Sequence, residues 1–314
     1  MLGGSGFLGS HLCDQLLSRG DDVVCVDDFS TGRRSNVAHL ADSQGFTLVE
    51  ADISAGIPVE GEVTGVFNLA SPASPPDYLA LPLETLAVGS EGTRQGLELA
   101  ERHGARFLMA STSEVYGDPD VHPQSEAYWG RVNPVGPRSV YDEAKRFSEA
   151  LTMAHQRVRG TDVAIVRIFN TYGPRLRPDD GRVVSNFLLQ AMRGEPLTVY
   201  GDGSQTRSLC YVDDEVRGLL AMFDSGLTGP VNMGNPDEYT VLQLARTVID
   251  LLGSTSGIEH RPLPTDDPTR RCPDISVART ELGWEPTTSL EEGLSRTATY
   301  LADEVGLTER SSAP

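Results

Sequence analysis

Tyr141-Asp142-Glu143-Ala144-Lys145 sets a phenol and an amine four residues apart. On a helix that spacing puts both on one face. An ammonium beside a phenol favours the phenolate and lowers a pKa that starts near ~10. A phenolate so placed can take the proton of an alcohol while a cofactor takes hydride. The spacing alone is common on solvated helix faces. Upstream, Met109-Ala110-Ser111-Thr112-Ser113-Glu114-Val115-Tyr116-Gly117 follows an apolar run. Its hydroxyls, Thr112 and Ser113, and the Glu114 carboxyl would stand at the C-terminal edge of a strand, where ligands bind in doubly wound sheets.

Near the start, Gly3, Gly6 and Gly9 are spaced GxxGxxG in Gly3-Gly4-Ser5-Gly6-Phe7-Leu8-Gly9. Glycines let the backbone approach a pyrophosphate, and a helix beginning near Phe7 aims free N–H groups and its positive dipole end at it. A strand then ends at Asp27 and Asp28. A carboxylate there accepts hydrogen bonds from both adenosine ribose hydroxyls and repels a 2′-phosphate, which favours NAD over NADP. Arg33 and Arg34 pull the other way, since arginines near this turn can accept NADP. Asp52-Ile53 is a candidate adenine contact, with a solvated strand end as the alternative. Leu69 ends a buried strand at the same edge. After it, the small residues of Ala70-Ser71-Pro72-Ala73-Ser74 would let a dinucleotide lie flat, unless they form a plain turn.

The elements that must position these groups follow from periodicity. Strands are expected at Val23–Asp27, Thr47–Glu50, Gly65–Leu69, Arg106–Ala110 and Asp162–Phe169. Helices are expected at Gly9–Arg19, Pro82–His103 and Val140–Val158. That alternation gives right-handed βαβ units and a parallel sheet covered on both faces. The second half reads as helices Val183–Arg193, Asp213–Asp224 and Thr240–Leu252. Short strands lie near Leu197–Tyr200, Ser208–Tyr211 and Pro230–Met233, with turn clusters at Gly201–Ser204 and Pro262–Pro268. The fold class is α/β: a Rossmann-like doubly wound parallel sheet with a smaller C-terminal α/β domain. Residues 1–173 form the first domain, to which 207–232 return; 174–206 and 233–314 form the second. The tail Glu309–Pro314 is expected to fray.

The 314 residues are consistent with two domains of roughly 150 residues each. The 26 Lys and Arg against 45 Asp and Glu leave a net charge of −19. So acidic a surface repels phosphate backbones and anionic lipid, which argues against nucleic acid and membrane as general partners. No apolar run approaches the ~20 residues that span a bilayer, and no secretory signal opens the chain. Cys13, Cys25, Cys210 and Cys272 lie far apart. They read as reduced thiols of a cytoplasmic protein, and neither they nor the histidines show metal-ligand spacing. His122, Phe7, Trp129 and Trp284 are expected to be structural or packing residues.

Longer blocks carry a resemblance. They include Ala70–Tyr78, Ser111–Pro119, Tyr128–Pro134, Gly136–Glu143, Arg167–Arg175 and Asp180–Phe187. Others are Tyr200–Ser208, Tyr211–Asp214, Asp267–Ile275 and Leu282–Pro286. Through them the chain resembles the extended short-chain dehydrogenase/reductase family of nucleotide-sugar enzymes from residue 3 to about residue 300. Within that family it is similar to the UDP-glucuronic acid decarboxylase branch. The dehydratase relatives carry Thr-Asp-Glu where this chain has Thr112-Ser113-Glu114, and the 4-epimerases usually lack the acid.

The resemblance implies a carboxy-lyase that oxidises C4 of UDP-glucuronate with NAD. The resulting β-keto acid loses CO2, and C5 is protonated. The C4 ketone is then reduced again to give UDP-xylose. Tyr141 is the implied base with Lys145 supporting it, and Thr112 or Ser113 bonds the C4 oxygen. Glu114 and Arg271 are the implied acid–base and electrostatic partners at C5. Arg138 and Tyr78 are candidates for the sugar carboxylate, with a surface salt bridge as the alternative for Arg138. Asn170, Arg182, Gln205 and Arg207, with Val183 and Tyr200, match positions around the UDP moiety, where a diphosphate needs cations and amides. The block Arg270-Arg271-Cys272-Pro273-Asp274 departs from the family at Cys272, which usually is Lys. A homodimer built from the helices at Pro82–His103 and Val140–Val158 is also implied. The readings left beside it are a UDP-sugar 4-epimerase, a decarboxylase releasing the UDP-4-keto-pentose, and a non-catalytic NAD-binding scaffold.

In this fold an apolar strand precedes the glycine loop. Here only Met1 and Leu2 do, and Leu2 stands where the resembled family carries Thr. The first strand is therefore expected to be missing or cut short, as from a start placed too far downstream or a truncated chain.

Overall fold

The apolar runs of the first half become short parallel strands with a helix between most of them. The computed structural model describes residues 1–263 and 270–307. Its first half contains α1 (Phe7–Ser18), β1 (Val23–Asp27), β2 (Phe46–Glu50), β3 (Gly65–Asn68), α2 (Pro75–Ala80), α3 (Pro82–Ala87), α4 (Thr93–His103), β4 (Arg106–Thr112), α5 (Ser139–Arg159) and β5 (Val163–Ile168). The second half begins with β6 (Thr171–Tyr172), α6 (Val183–Arg193), β7 (Leu197–Tyr200), β8 (Thr206–Ser208), β9 (Cys210–Tyr211) and α7 (Val212–Asp224). It ends with β10 (Val231–Met233), β11 (Glu238–Thr240), α8 (Val241–Leu252), β12 (Ile258–Arg261), α9 (Ser276–Leu282) and α10 (Leu290–Glu304). The Pro262–Pro268 cluster lies mostly, and the Glu309–Pro314 tail wholly, outside the described residues.

Strands β10, β5, β4 and β3 lie side by side in that order, all parallel, and β1 pairs in parallel with β2. Leu2 joins the two groups, bridging Val26 on one side and Asn68 on the other. Its N–H donates to Phe67 O at 2.9 Å, and its carbonyl accepts from Leu69 N at 3.0 Å. The strand expected to be missing or cut short is thus present as one bridging residue, 1% exposed. The strand order reverses at Leu2, the crevice where such sheets bind ligands, and the glycine loop follows at once. Strand β4 is buried along nearly its whole length because helices cover both faces of the sheet.

Two expectations need correction. The helix expected over Pro82–His103 is three pieces: α3, a π turn over Val88–Gly92, and α4. Two glycines fall in that turn, and a Cβ on Gly89 would lie 2.7 Å from the Ala144 Cβ of α5. The extra residue of a π turn lets the backbone come that close. Trp129 is not a packing residue but is 87% exposed; its carbonyl accepts from Arg146 at 2.9 Å. Trp284 does pack, 3% exposed, with its indole N–H donating to Asp214 O at 2.9 Å.

In the second half α6, α8 and α10 share one core cluster with β7 and β10. Helix α8 opens with a reciprocal cap, Thr240 and Gln243 bonding each other's backbone N–H. The four cysteines are buried free thiols.

Candidate active site

The glycine loop is closed by contacts that admit no side chain. Gly3 has φ +75°, and a Cβ there would lie 2.7 Å from the Ala70 backbone. A Cβ on Gly9 would lie 2.1 Å from Gly3 O. Helix α1 starts after Gly6, which offers no side-chain cap, so its first-turn N–H groups are left for an anionic ligand. These residues fit a dinucleotide pyrophosphate. Gly9→Ala is expected to lose at least tenfold in NAD affinity by titration. It should also lower thermal stability, because overpacking against backbone costs about 1–3 kcal/mol.

Asp27 is 7% exposed and already committed. Its Oδ2 accepts from Ser5 N at 2.8 Å and its Oδ1 from Phe29 N at 2.9 Å. Burial raises its pKa, against those two bonds. Each of its oxygens keeps a further lone pair that can accept from a ribose hydroxyl. Asp27, Asp28, Arg33, Asp52, Ile53, Ala70 and Tyr78 do not line the main cleft, whereas Thr31 and Asn36, which the sequence reading missed, do. Arg33 is held by Glu304 at 2.5 Å and Tyr300 at 3.1 Å. Arg34 pairs with Glu50 and covers the Phe29 ring. Both arginines that could have favoured a 2′-phosphate thus have partners.

From the loop a cleft of about 590 Å3 runs past the ends of β4 and β5. Gly3, Gly6, Phe7, Leu8, Gly9, Leu69, Ser71 and Ala73 line one end. Thr112, Ser113, Glu114, Tyr141, Lys145, Arg138 and Arg271 line the middle, and Asn170, Arg182, Val183, Tyr200, Gln205 and Arg207 line the other end.

In the middle, Tyr141 stacks on Tyr78 with centroids 5.2 Å apart. Burial pushes its phenol up to about 12; the Glu114 charge adds to this and a hydrogen bond with Thr112 opposes it. Lys145 Nζ donates to Ala110 O at 2.9 Å and lies 5.8 Å from the Tyr141 ring centroid. Burial brings Lys145 down to about 8. For the protein alone, burial of the phenol outweighs any lowering by the ammonium. The amine is tied to the strand end, and desolvation dominates.

Glu114 accepts from Arg138 Nη2 at 2.6 Å and from Arg271 Nη1. Burial opposes its ionisation, but the two guanidiniums outweigh burial and hold the carboxyl well below the usual range. Arg138 is therefore a partner of Glu114 inside the cleft rather than a surface charge, with a side chain 15% exposed.

The model of the NAD dependent epimerase/dehydratase family matches residues 1–234. The chain belongs to that family. It is 52% identical over 303 residues to UDP-glucuronic acid decarboxylase 1 of Danio rerio, covering 96% of this chain and 72% of that protein. It is also 52% identical to UDP-glucuronic acid decarboxylase 1 of Arabidopsis thaliana, covering 94% and 67%. Among solved structures it is similar to UDP-glucuronic acid 4-epimerase from Bacillus cereus in complex with UDP-glucuronic acid and NAD. That match has a TM-score of 0.85 at 27% identity and covers 96% of this chain and 98% of the other.

In this epimerase/dehydratase chain the far end of the cleft is cationic. Arg182 donates to Ala73 O at 3.2 Å and pairs with Asp180. Arg207 donates to Thr206 O at 2.8 Å. Arg175 and Arg177 also line it, paired with Asp14 and Asp77 at 2.7 Å each. Neither was singled out from sequence, although Arg175 closes one of the resembling blocks. Away from the cleft, His122, Glu238 and Cys272 place donor atoms within 4.8 Å of one another. Sequence spacing could not show this grouping.

Proposed function

We propose that this chain decarboxylates UDP-glucuronate to UDP-xylose and retains NAD through the turnover. The observation that carries this is Glu114 clamped by Arg138 and Arg271 beside Tyr141; the named relatives support it. NAD, when bound on the glycine loop and α1, supplies the reversible removal and return of hydride at C4. Tyr141 takes the O4 proton, and Thr112 bonds the same oxygen. The ketone makes the C5 carboxylate a β-keto acid, which loses CO2 as an unoxidised acid would not. Among the described residues Arg271 Nη2 has no hydrogen-bond partner; it is a donor suited to that carboxylate. Glu114 keeps a second negative charge close to it, which favours expelling CO2. Arg182, Gln205 and Arg207 are assigned to the diphosphate and uridine, and Asp27 to the adenosine ribose.

Incubation with UDP-glucuronate and mass spectrometry of the product tests this. UDP-xylose without added NADH supports the proposal. UDP-4-keto-pentose with accumulated NADH, UDP-galacturonate, or unchanged substrate would each replace it with a named alternative.

We also propose the division 1–173 with 207–232, against 174–206 with 233–314, supported by β10 pairing with β5. A homodimer built from the Pro82–His103 segment, α3 through α4, and α5 is supported by exposed Leu83, Phe147 and Val158. Phe147→Asp is expected to halve the mass seen by sedimentation. No helix among the described residues is long and apolar enough to cross a membrane.

A further inference from the structure

Glu114, Arg138 and Arg271 line two spaces. One is the cleft; the other is a second chamber of about 280 Å3, whose remaining walls include Asp118, Arg131 and Asp142. The Glu114 cluster is therefore the wall between them.

The decarboxylation leaves one proton without a source. CO2 departs from C5 without the bonding electron pair, and that carbon must gain a hydrogen. Tyr141 is committed to O4. Glu114, ionised between two guanidiniums, has no proton of its own to give. Of the chamber's two other acids, Asp118 is exposed and Asp142 is buried. Asp142 is 6% exposed, and its Oδ1 has no hydrogen-bond partner among the described residues. Burial first, then the charge of Glu114, raises its carboxyl to about 7, against the pull of Arg138 and Arg271. Glu143 on its own helix raises it further, and Tyr78 of α2 feels its charge in turn. A chamber of this size with ionisable walls has the room and the polar partners that ordered water needs.

We propose that Asp142 stores the proton for C5 and delivers it through chamber water and Glu114. The Asp142 O–H bond breaks and leaves a carboxylate. The C5–H bond forms on the electron pair left by CO2. Glu114 carries the proton only in passing and ends ionised, and Asp142 regains a proton from solvent. This rests on the decarboxylase reading.

The test is Asp142→Asn in the NAD-loaded full chain, following CO2 and UDP-xylose separately in single turnovers. CO2 release is expected to stay within about threefold of wild type while UDP-xylose formation falls about 10- to 100-fold, within the range of lost proton transfer. The wild-type rate of UDP-xylose formation should decline as pH rises through about 7. That limb should vanish in Asp142→Asn and return in Asp142→Glu. Equal slowing of both products, or an unchanged pH profile, would overturn the proposal. If Asp142→Asn does not fold, wild type decides. A solvent deuterium effect on UDP-xylose formation but not on CO2 release, together with the limb near 7, supports the store; absence of either refutes it. A wild-type protein that releases no CO2 from UDP-glucuronate overturns the decarboxylase reading instead.

Discussion

Tyr141→Phe is expected to cut kcat by about 10²- to 10⁴-fold, the usual worth of a positioned acid–base group. Binding of the nucleotide sugar should change by less than threefold. The substitution removes one oxygen and keeps the ring, which stays stacked on Tyr78 at 5.2 Å and buried at 6% exposure. The packing of α5 therefore survives, and the melting temperature should move by no more than a few degrees. What is lost is the group that takes the O4 proton. Without it no ketone forms at C4, and the carboxylate has no way to leave. Single-turnover absorbance of NADH should accordingly show no transient reduction. Activity within tenfold of wild type would remove Tyr141 from the role of base.

Glu114→Gln should have a different signature. The amide keeps the shape of the side chain but takes the negative charge from between Arg138 and Arg271. Both guanidiniums then face the cleft without the Glu114 charge, so the sugar carboxylate should bind more tightly. KM is expected to fall while kcat falls by about 10²- to 10⁴-fold, because ground-state attraction now opposes the departure of CO2. Breaking a buried ion pair by removing one partner costs about 3–5 kcal/mol, and the neutral isostere should approach that loss from below. Glu114→Asp keeps the charge and guards against mere misfolding. CO2 release at the normal rate in Glu114→Gln would end the assigned role. So would a KM that rises in step with the loss of kcat.

Much of this site was legible from local pattern. The bounds of β1 and α6 match the reading because a continuous apolar run marks the one and an amphipathic period the other. The glycine spacing located the loop, and the block Thr112-Ser113-Glu114 located the strand end. What local pattern could not carry was long-range or sub-periodic. One inserted residue at Val88–Gly92 leaves no mark on a helical period, so the helix looked continuous. Strands of two or three residues such as β6 and β11 are too short for alternation to register. Arg271 is 157 residues from Glu114. Resemblance named both, but not their ion pair, and the raised phenol of Tyr141 follows from burial that no spacing reports. Trp129 was misread because a large apolar residue is only statistically a buried one.

The close approach of Gly89 to Ala144 has a mechanical meaning. Ala144 stands in the same helical turn as Tyr141 and Lys145, and the gap at Gly89 has no flexible side chain to absorb a displacement. A glycine set so near the Ala144 Cβ that no side chain fits between acts as a hard stop, so the turn bearing the phenol and the amine is referenced to the π segment. Ser148 fastens that stop by donating to Gly89 O at 2.7 Å. The position of the reacting oxygen is thereby set by backbone geometry upstream of it, and tolerance to sequence drift should be lowest at a site that touches no ligand at all.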